Sequence, residues 1–226
     1  NYKNFHKNSL KSGHYLERLS LNKAKTIIYT TQYAKESAEN KYNIDKNKIK
    51  VLPFGSDISP ITKKQFLSIF KKDKKINKIT KFVSVGVDWK RKNMDKSIEV
   101  IKQLNIKGCP SKLIIVGAKP PENFYYPQFV EIIPFLSKTN KSEFRKLKKI
   151  YYNSDFFILL SKAEAFGLVL QEATSYALPL ILNKVGGMEF VSNKKYSILV
   201  DKELSAEKIA IKIMSLIKNP KKYKKF

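Results

Sequence analysis

The 226-residue sequence predicts an α/β domain in which helices cover both faces of a parallel sheet. Three observations predict it. Apolar runs of strand length recur along the chain, stretches with helical apolar spacing separate them, and the connections are short and carry Gly or polar residues. The sharpest junction is at 156–172, where an apolar strand, 156–160, runs through a polar loop into a helix over 168–176.

In chain order, residues 1–25 hold a mixed polar helix over 10–24. Residues 26–29 form a short strand, and Thr30 and Thr31 are N-cap residues for a helix over 33–41. A second short strand, 49–52, closes at Pro53, Phe54 and Gly55. Two short strands and two helices cannot bury their own faces, so this segment needs more chain before it or a partner. Residues 57–80 read as a Lys-rich connector containing a helix over 64–70. The expected plan is a segment at 1–60, a linker at 61–80 and a main domain at 81–226.

Beyond the connector the alternation is regular. Strand 82–85 leads through 86–91 to a helix over 94–104, with Met94, Ile98, Ile101 and Leu104 on one face. Strand 113–116 ends at Gly117, and a Pro- and Tyr-rich loop at 119–127 leads to strand 129–133. Asn140, with Glu143 three residues on, caps a helix whose apolar face carries Phe144, Leu147 and Tyr151. Then come strand 156–160, the helix after Gly167, strand 180–182, a short helix opened by Gly186 and Gly187, strand 197–200 and a helix over 206–217. Right-handed crossovers make such a domain Rossmann-like.

Lys and Arg total 45 against 19 Asp and Glu, a net charge of +26. The excess is mostly Lys, spread with Ile and Asn along the whole chain. It reads first as a compositional bias with a basic surface, next as contact with an anionic membrane, and last as nucleic-acid binding. The lone Cys109 excludes an internal disulfide and points to a reducing, cytoplasmic setting. No apolar run reaches the length of a membrane-spanning helix. The first residues are polar rather than a secretory signal, and the first residue is not Met, so the sequence reads as starting within a longer gene.

A parallel sheet gathers its strand-end loops on one edge, where α/β domains bind ligands. Those loops carry Gly86, Trp89, Lys90, Arg91 and Lys92, then Gly117, then Glu164, Phe166 and Gly167, then Gly186, Gly187 and Glu189. Amides at the start of the Gly167 helix, facing Arg91 and Lys92, form a cradle for a diphosphate, and Gly167 permits close approach to the backbone. Glu172 is placed to accept from a ribose diol, and Glu164 lies nearer the distal group. Taken singly, Arg91 and Lys92 read as surface charges, Glu164 and Glu172 as solvated, Gly86 and Gly117 as turn glycines, Trp89 as a core residue, and His6 and His14 as chemically idle. Their convergence on one edge raises the functional reading.

Glu164-Ala165-Phe166-Gly167-Leu168 through Glu172, with Leu178-Pro179 and Gly186-Gly187-Met188-Glu189, resembles the E-x7-E region of glycosyltransferase family 4, the glycosyl transferases group 1 family. Phe82 to Gly86 with Arg91-Lys92 resembles that family's first strand and basic loop, and Val51 to Asp57 the segment ending its N-terminal domain. Asn93, Ala165 and Ala177 stand where Gly is common.

The resemblance implies the C-terminal, donor-binding half of a GT-B glycosyltransferase with a remnant of its N-terminal, acceptor-side domain. Most of that domain, and a crossover helix after Tyr223, fall outside the sequence. It further implies transfer from a nucleotide-diphosphate sugar to a glycan or lipid-linked acceptor, retaining and metal-independent, in cell-envelope polysaccharide synthesis, with no cofactor beyond the donor substrate. Arg91 and Lys92 would neutralise the departing diphosphate, while Glu164 and the backbone of Ala165, Phe166, Gly167 and Leu168 would hold sugar and phosphate. Glu172 would hold the ribose, the backbone at Phe135 and Leu136 would meet the base, and Gly86 and Gly117 would line the site. The expected location is cytoplasmic, at most peripheral on the inner membrane face. Alternatives are an epimerase or phosphorylase of the same architecture, or a non-catalytic basic module. Neither a Gly-x-Gly-x-x-Gly nor a Walker A loop is present for a dehydrogenase or P-loop enzyme.

Overall fold

The computed structural model describes residues 6–71, 79–125, 127–219 and 223. They fall into two compact units, Asn1–Phe54 and Gly55–Phe226.

In the first unit, α1 (Lys7–Lys23), β1 (Ile27–Tyr29), α2 (Gln32–Tyr42) and β2 (Ile49–Val51) enclose a small core of Leu21, Ile27, Ala38, Ile44 and Ile49. The two strands pair in parallel from Ile27↔Ile49 to Tyr29↔Val51. Helix α1 begins three residues before the sequence-predicted start, because the His6 ring accepts from the Asn8 amide at 3.3 Å and serves as its cap. Thr31 caps α2 as expected, accepting from the Ala34 amide at 3.1 Å.

The second unit contains α3 (Lys63–Lys71), β3 (Thr80–Val85), α4 (Trp89–Lys92), α5 (Met94–Ile106), β4 (Ser111–Val116), β5 (Val130–Ile133) and α6 (Lys141–Tyr152). It continues with β6 (Phe156–Leu159), α7 (Leu168–Ser175), β7 (Leu180–Asn183), α8 (Met188–Val191), β8 (Ser197–Val200) and α9 (Ala206–Ile217). The strands form one parallel sheet in the order β5-β4-β3-β6-β7-β8. This is the predicted α/β architecture, and its order reverses between β3 and β6.

Side chains alternate across the sheet, so each strand feeds two cores. On one face Phe82, Leu113 and Ile115 pack with Met94, Ile101 and Leu104 of α5 and Ile209 and Ile213 of α9. On the other, Val83, Val116 and Phe157 pack with Leu147 and Tyr151 of α6 and Leu170 and Ala173 of α7. The β4 to β5 crossover, 117–129, has no helix among its described residues. Phe124 of that loop packs edge-on against Trp89 with ring centres 5.0 Å apart, which bears out Trp89 as a core residue.

The stretch expected as a connector is more integrated than its Lys content suggested. Ile58 is 1% exposed and joins the second core, with Ile61 packed beside it. The Ile61 amide donates to the Ser175 carbonyl at 2.9 Å. Thr62 and Gln65 form a reciprocal capping box at the start of α3, with Thr62 Oγ1 accepting at 3.2 Å and Gln65 Oε1 at 2.9 Å. The rest of the expected linker, 72–78, and the crossover helix expected after Tyr223 lie outside the described residues.

Candidate active site at the strand-end edge

A parallel sheet whose order reverses leaves a crevice at the reversal, because the loops leaving the two adjacent strands run in opposite directions. Here the loops are those after β3 and β6. Asp88 caps α4 by accepting from the Arg91 amide at 2.9 Å, and Asn93 ends α4 in the left-handed region at φ 56. Asn93, at a position where a Gly was expected to be common, supplies that conformation at modest cost. It also uses its side chain, donating to the Leu160 carbonyl at 3.1 Å. Asn183 donates to the same carbonyl at 2.9 Å from the end of β7. The Lys162 amide donates to the Arg91 carbonyl at 2.8 Å, so the two loops are tied through their backbones.

This framework brings Arg91, Lys92 and Glu164 together. The Lys92 ammonium pairs with Glu164 Oε2, and Arg91 Nη1 lies 3.4 Å from that oxygen and 3.3 Å from the Ala163 carbonyl. Lys92 is buried, with 8% of its side chain exposed, as is 11% of Glu164. Neither is the solvated charge that a single-residue reading gives. Burial follows from Gly86, over which the Lys92 stem lies: a Cβ there would sit 2.9 Å from Lys92 Cγ. Gly117, at φ 90, packs on Gly86 in turn, since a Cβ would meet the Gly86 carbonyl oxygen at 3.0 Å. Both glycines therefore serve close approach rather than a turn alone.

The backbone of Glu164 is clamped from the β7 side. The Gly187 amide donates to its carbonyl at 3.2 Å, and a Cβ on Gly186 would fall 2.0 Å from that oxygen. Gly167 enters α7 at φ 73 with no side-chain cap on the first turn. Ala165 and Leu168 are exposed beside it, and Phe166 is buried. Glu189 is exposed.

Glu172 sits in a separate network. Its side chain is 1% exposed, which overturns the solvated reading. Oε2 accepts from the Tyr151 hydroxyl at 2.8 Å, Oε1 pairs with the Lys138 ammonium, and that ammonium also lies 2.7 Å from Asp57 Oδ2. Burial acts to lower the Lys138 pKa, but its hydrogen bonds to Asp57 and Glu172 outweigh this and hold it above the ordinary 10.5. Burial, reinforced by Glu172, pushes the Tyr151 hydroxyl well above its ordinary 10.0. Phe135, exposed, and Leu136, half-buried, lie on the segment between β5 and Lys138.

Sequence reasoning missed Lys138, Asp57 and the polar role of Tyr151. Lys138 is one lysine among many, and Tyr151 was counted only as part of an apolar face. Among the described residues no three of His, Cys, Asp and Glu gather to hold a metal, and no helix is long and apolar enough to cross a membrane.

Residues 65–226 match the family described as glycosyl transferases group 1. The chain is 33% identical over 217 residues to a probable sucrose-phosphate synthase of Thermosipho melanesiensis, across 87% of this chain and 48% of that protein. It is 28% identical over 213 residues to the capsular polysaccharide biosynthesis glycosyltransferase CapM of Staphylococcus aureus, across 89% of this chain and 54% of that one. The chain thus spans about half the length of these relatives. The structure of Anabaena HepE in complex with UDP-glucose superposes with a TM-score of 0.67 at 19% identity, over 98% of this chain and 61% of that one, which shows a shared GT-B fold.

Proposed function

The chain belongs to the glycosyl transferases group 1 family, and from that premise we propose that it carries the donor site of a retaining, metal-independent glycosyltransferase. That enzyme moves a sugar from a nucleoside diphosphate sugar to a glycan or lipid-linked acceptor. The observation that carries the reading is the grouping of two cations, Arg91 and Lys92, on Glu164 at the point where the sheet order reverses. Arg91, which also pairs with Asp88 at 3.5 Å, and Lys92 present two cations beside an uncapped helix start, which suits a diphosphate.

In this reading the Arg91 and Lys92 cations stabilise the negative charge that grows on the departing diphosphate. Fixed by Gly86 below it, Lys92 needs little reorganisation to do so. Glu164 orients Lys92 before the donor arrives and accepts from sugar hydroxyls once it is bound. The backbone from Ala165 to Leu168 meets phosphate and sugar, Glu172 takes the ribose, and the backbone at Phe135 and Leu136 takes the base. The names of the relatives, a probable sucrose-phosphate synthase and a capsular polysaccharide biosynthesis glycosyltransferase, support a sugar transferase, and the second supports a glycan product. The HepE complex supports a nucleotide-sugar donor. We place the enzyme in the cytoplasm, with its basic surface available for peripheral contact with an anionic membrane.

The test is calorimetric titration of the full protein with UDP-, GDP- and ADP-sugars. At least one binds; a folded protein that binds none contradicts the proposal.

A further inference from the structure

Both carboxylate oxygens of Glu172, the residue assigned to the ribose, are engaged by side chains of this same chain. Tyr151 holds Oε2 from a position that is 0% exposed and stacked on Tyr176 at 5.6 Å between ring centres, so it has no freedom to leave. Lys138 holds Oε1 and differs in kind. Its side chain is 35% exposed while that of Glu172 is 1% exposed, so the lysine is the part of the pair that solvent reaches. Its ammonium also has a second partner, Asp57, at 2.7 Å and with 55% of its side chain exposed. A shift toward Asp57 frees Oε1 without stripping the ammonium of a carboxylate.

We propose that Lys138 is an affinity-setting latch: it caps Glu172 in the free protein and is exchanged onto Asp57 when the vicinal diol of a ribonucleoside diphosphate takes its place. The inference rests on the donor reading above. A buried carboxylate that gives up a charged donor regains its stabilisation only from a ligand bringing replacement donors, and a ribose diol brings two. The latch therefore acts only on nucleotides that carry these hydroxyls, setting their affinity from a position that touches neither phosphate nor sugar.

The experiment measures binding of UDP, GDP and ADP, and of the 2′,3′-dideoxy form of whichever binds, to the full protein and to Lys138→Met and Asp57→Ala, with folding checked by circular dichroism. Lys138→Met removes the competitor, so the ribonucleotide binds roughly threefold to tenfold tighter while the dideoxy form is unchanged. Asp57→Ala removes the alternative partner and weakens the ribonucleotide by roughly threefold. Lys138→Met weakening both nucleotides equally makes the lysine a phosphate contact and overturns the latch, as does an unchanged affinity for both. Should Lys138→Met not fold, Asp57→Ala decides: unchanged or tighter ribonucleotide binding overturns the latch. If neither the parent nor the variants bind any nucleotide, the donor reading falls and the latch with it. If the parent binds and the variants do not discriminate the diol, the latch alone falls.

Discussion

Glu164 and Glu172 lie on one loop-helix segment and each faces a lysine, yet their surroundings are built differently. Glu164 draws its cations from the neighbouring loop and its rigidity from backbone contacts, the Gly187 amide and the crowded Gly186. Glu172 draws its partners from side chains far apart in sequence, Tyr151, Lys138 and, through the latter, Asp57. The first arrangement fixes a charge pattern in place. The second leaves one exposed partner able to move.

If that contrast is right, removing a partner of Glu164 costs more than removing one of Glu172. Lys92→Met leaves a nearly buried carboxylate with only the half-exposed Arg91, and should lower unfolding free energy by about 2–4 kcal/mol in urea titration. Tyr151→Phe deprives Glu172 of its buried donor and should cost about 1–3 kcal/mol, since Lys138 remains. Equal losses, or a larger loss from Tyr151→Phe, would break the comparison.

The pH dependence sharpens it further. Tyr151 and Lys138 both have folded-state pKa values above their ordinary 10.0 and 10.5. Groups with raised values add stability that is fully present below the unfolded value and lost as pH climbs past it, because the unfolded chain then holds fewer protons. The parent protein should therefore lose stability above pH 10, measured as a falling urea midpoint. Tyr151→Phe, lacking one of these groups, should lose it less steeply. Parallel curves would remove the Glu172 network from the alkaline transition.

The smallest expected effect concerns the backbone. Ala177 adopts φ 53 just after α7, a conformation in which a Cβ is strained. Ala177→Gly should raise the thermal midpoint, with a gain of about 1 kcal/mol. A lowered midpoint would mean that flexibility gained in the unfolded chain outweighs the relief.

Much of this was legible in the sequence because it is local. Strand runs such as 82–85, the cap at Asn140 and the glycines at 86, 117 and 167 announce themselves through spacing or residue type. Arg91, Lys92 and Glu164 could be assigned to one edge because parallel strands put their loops there. The burial of Lys92 was not legible, because it depends on the missing side chain of Gly86. Nor was the Lys138 pairing, since nothing in a Lys-rich chain distinguishes one lysine whose partners lie 34 and 81 residues away. The connector was misjudged for a related reason: its lysines masked Ile58 and Ile61, which carry its packing.

The central claim, that the edge between β3 and β6 is a donor site, is tested most directly by titrating the nucleotide sugar that binds the parent protein into Arg91→Ala and Glu172→Ala. Both variants should bind it more weakly by over about 1 kcal/mol, the scale of a charge-assisted hydrogen bond. If both remain folded and bind it like the parent, the site has been placed on the wrong residues.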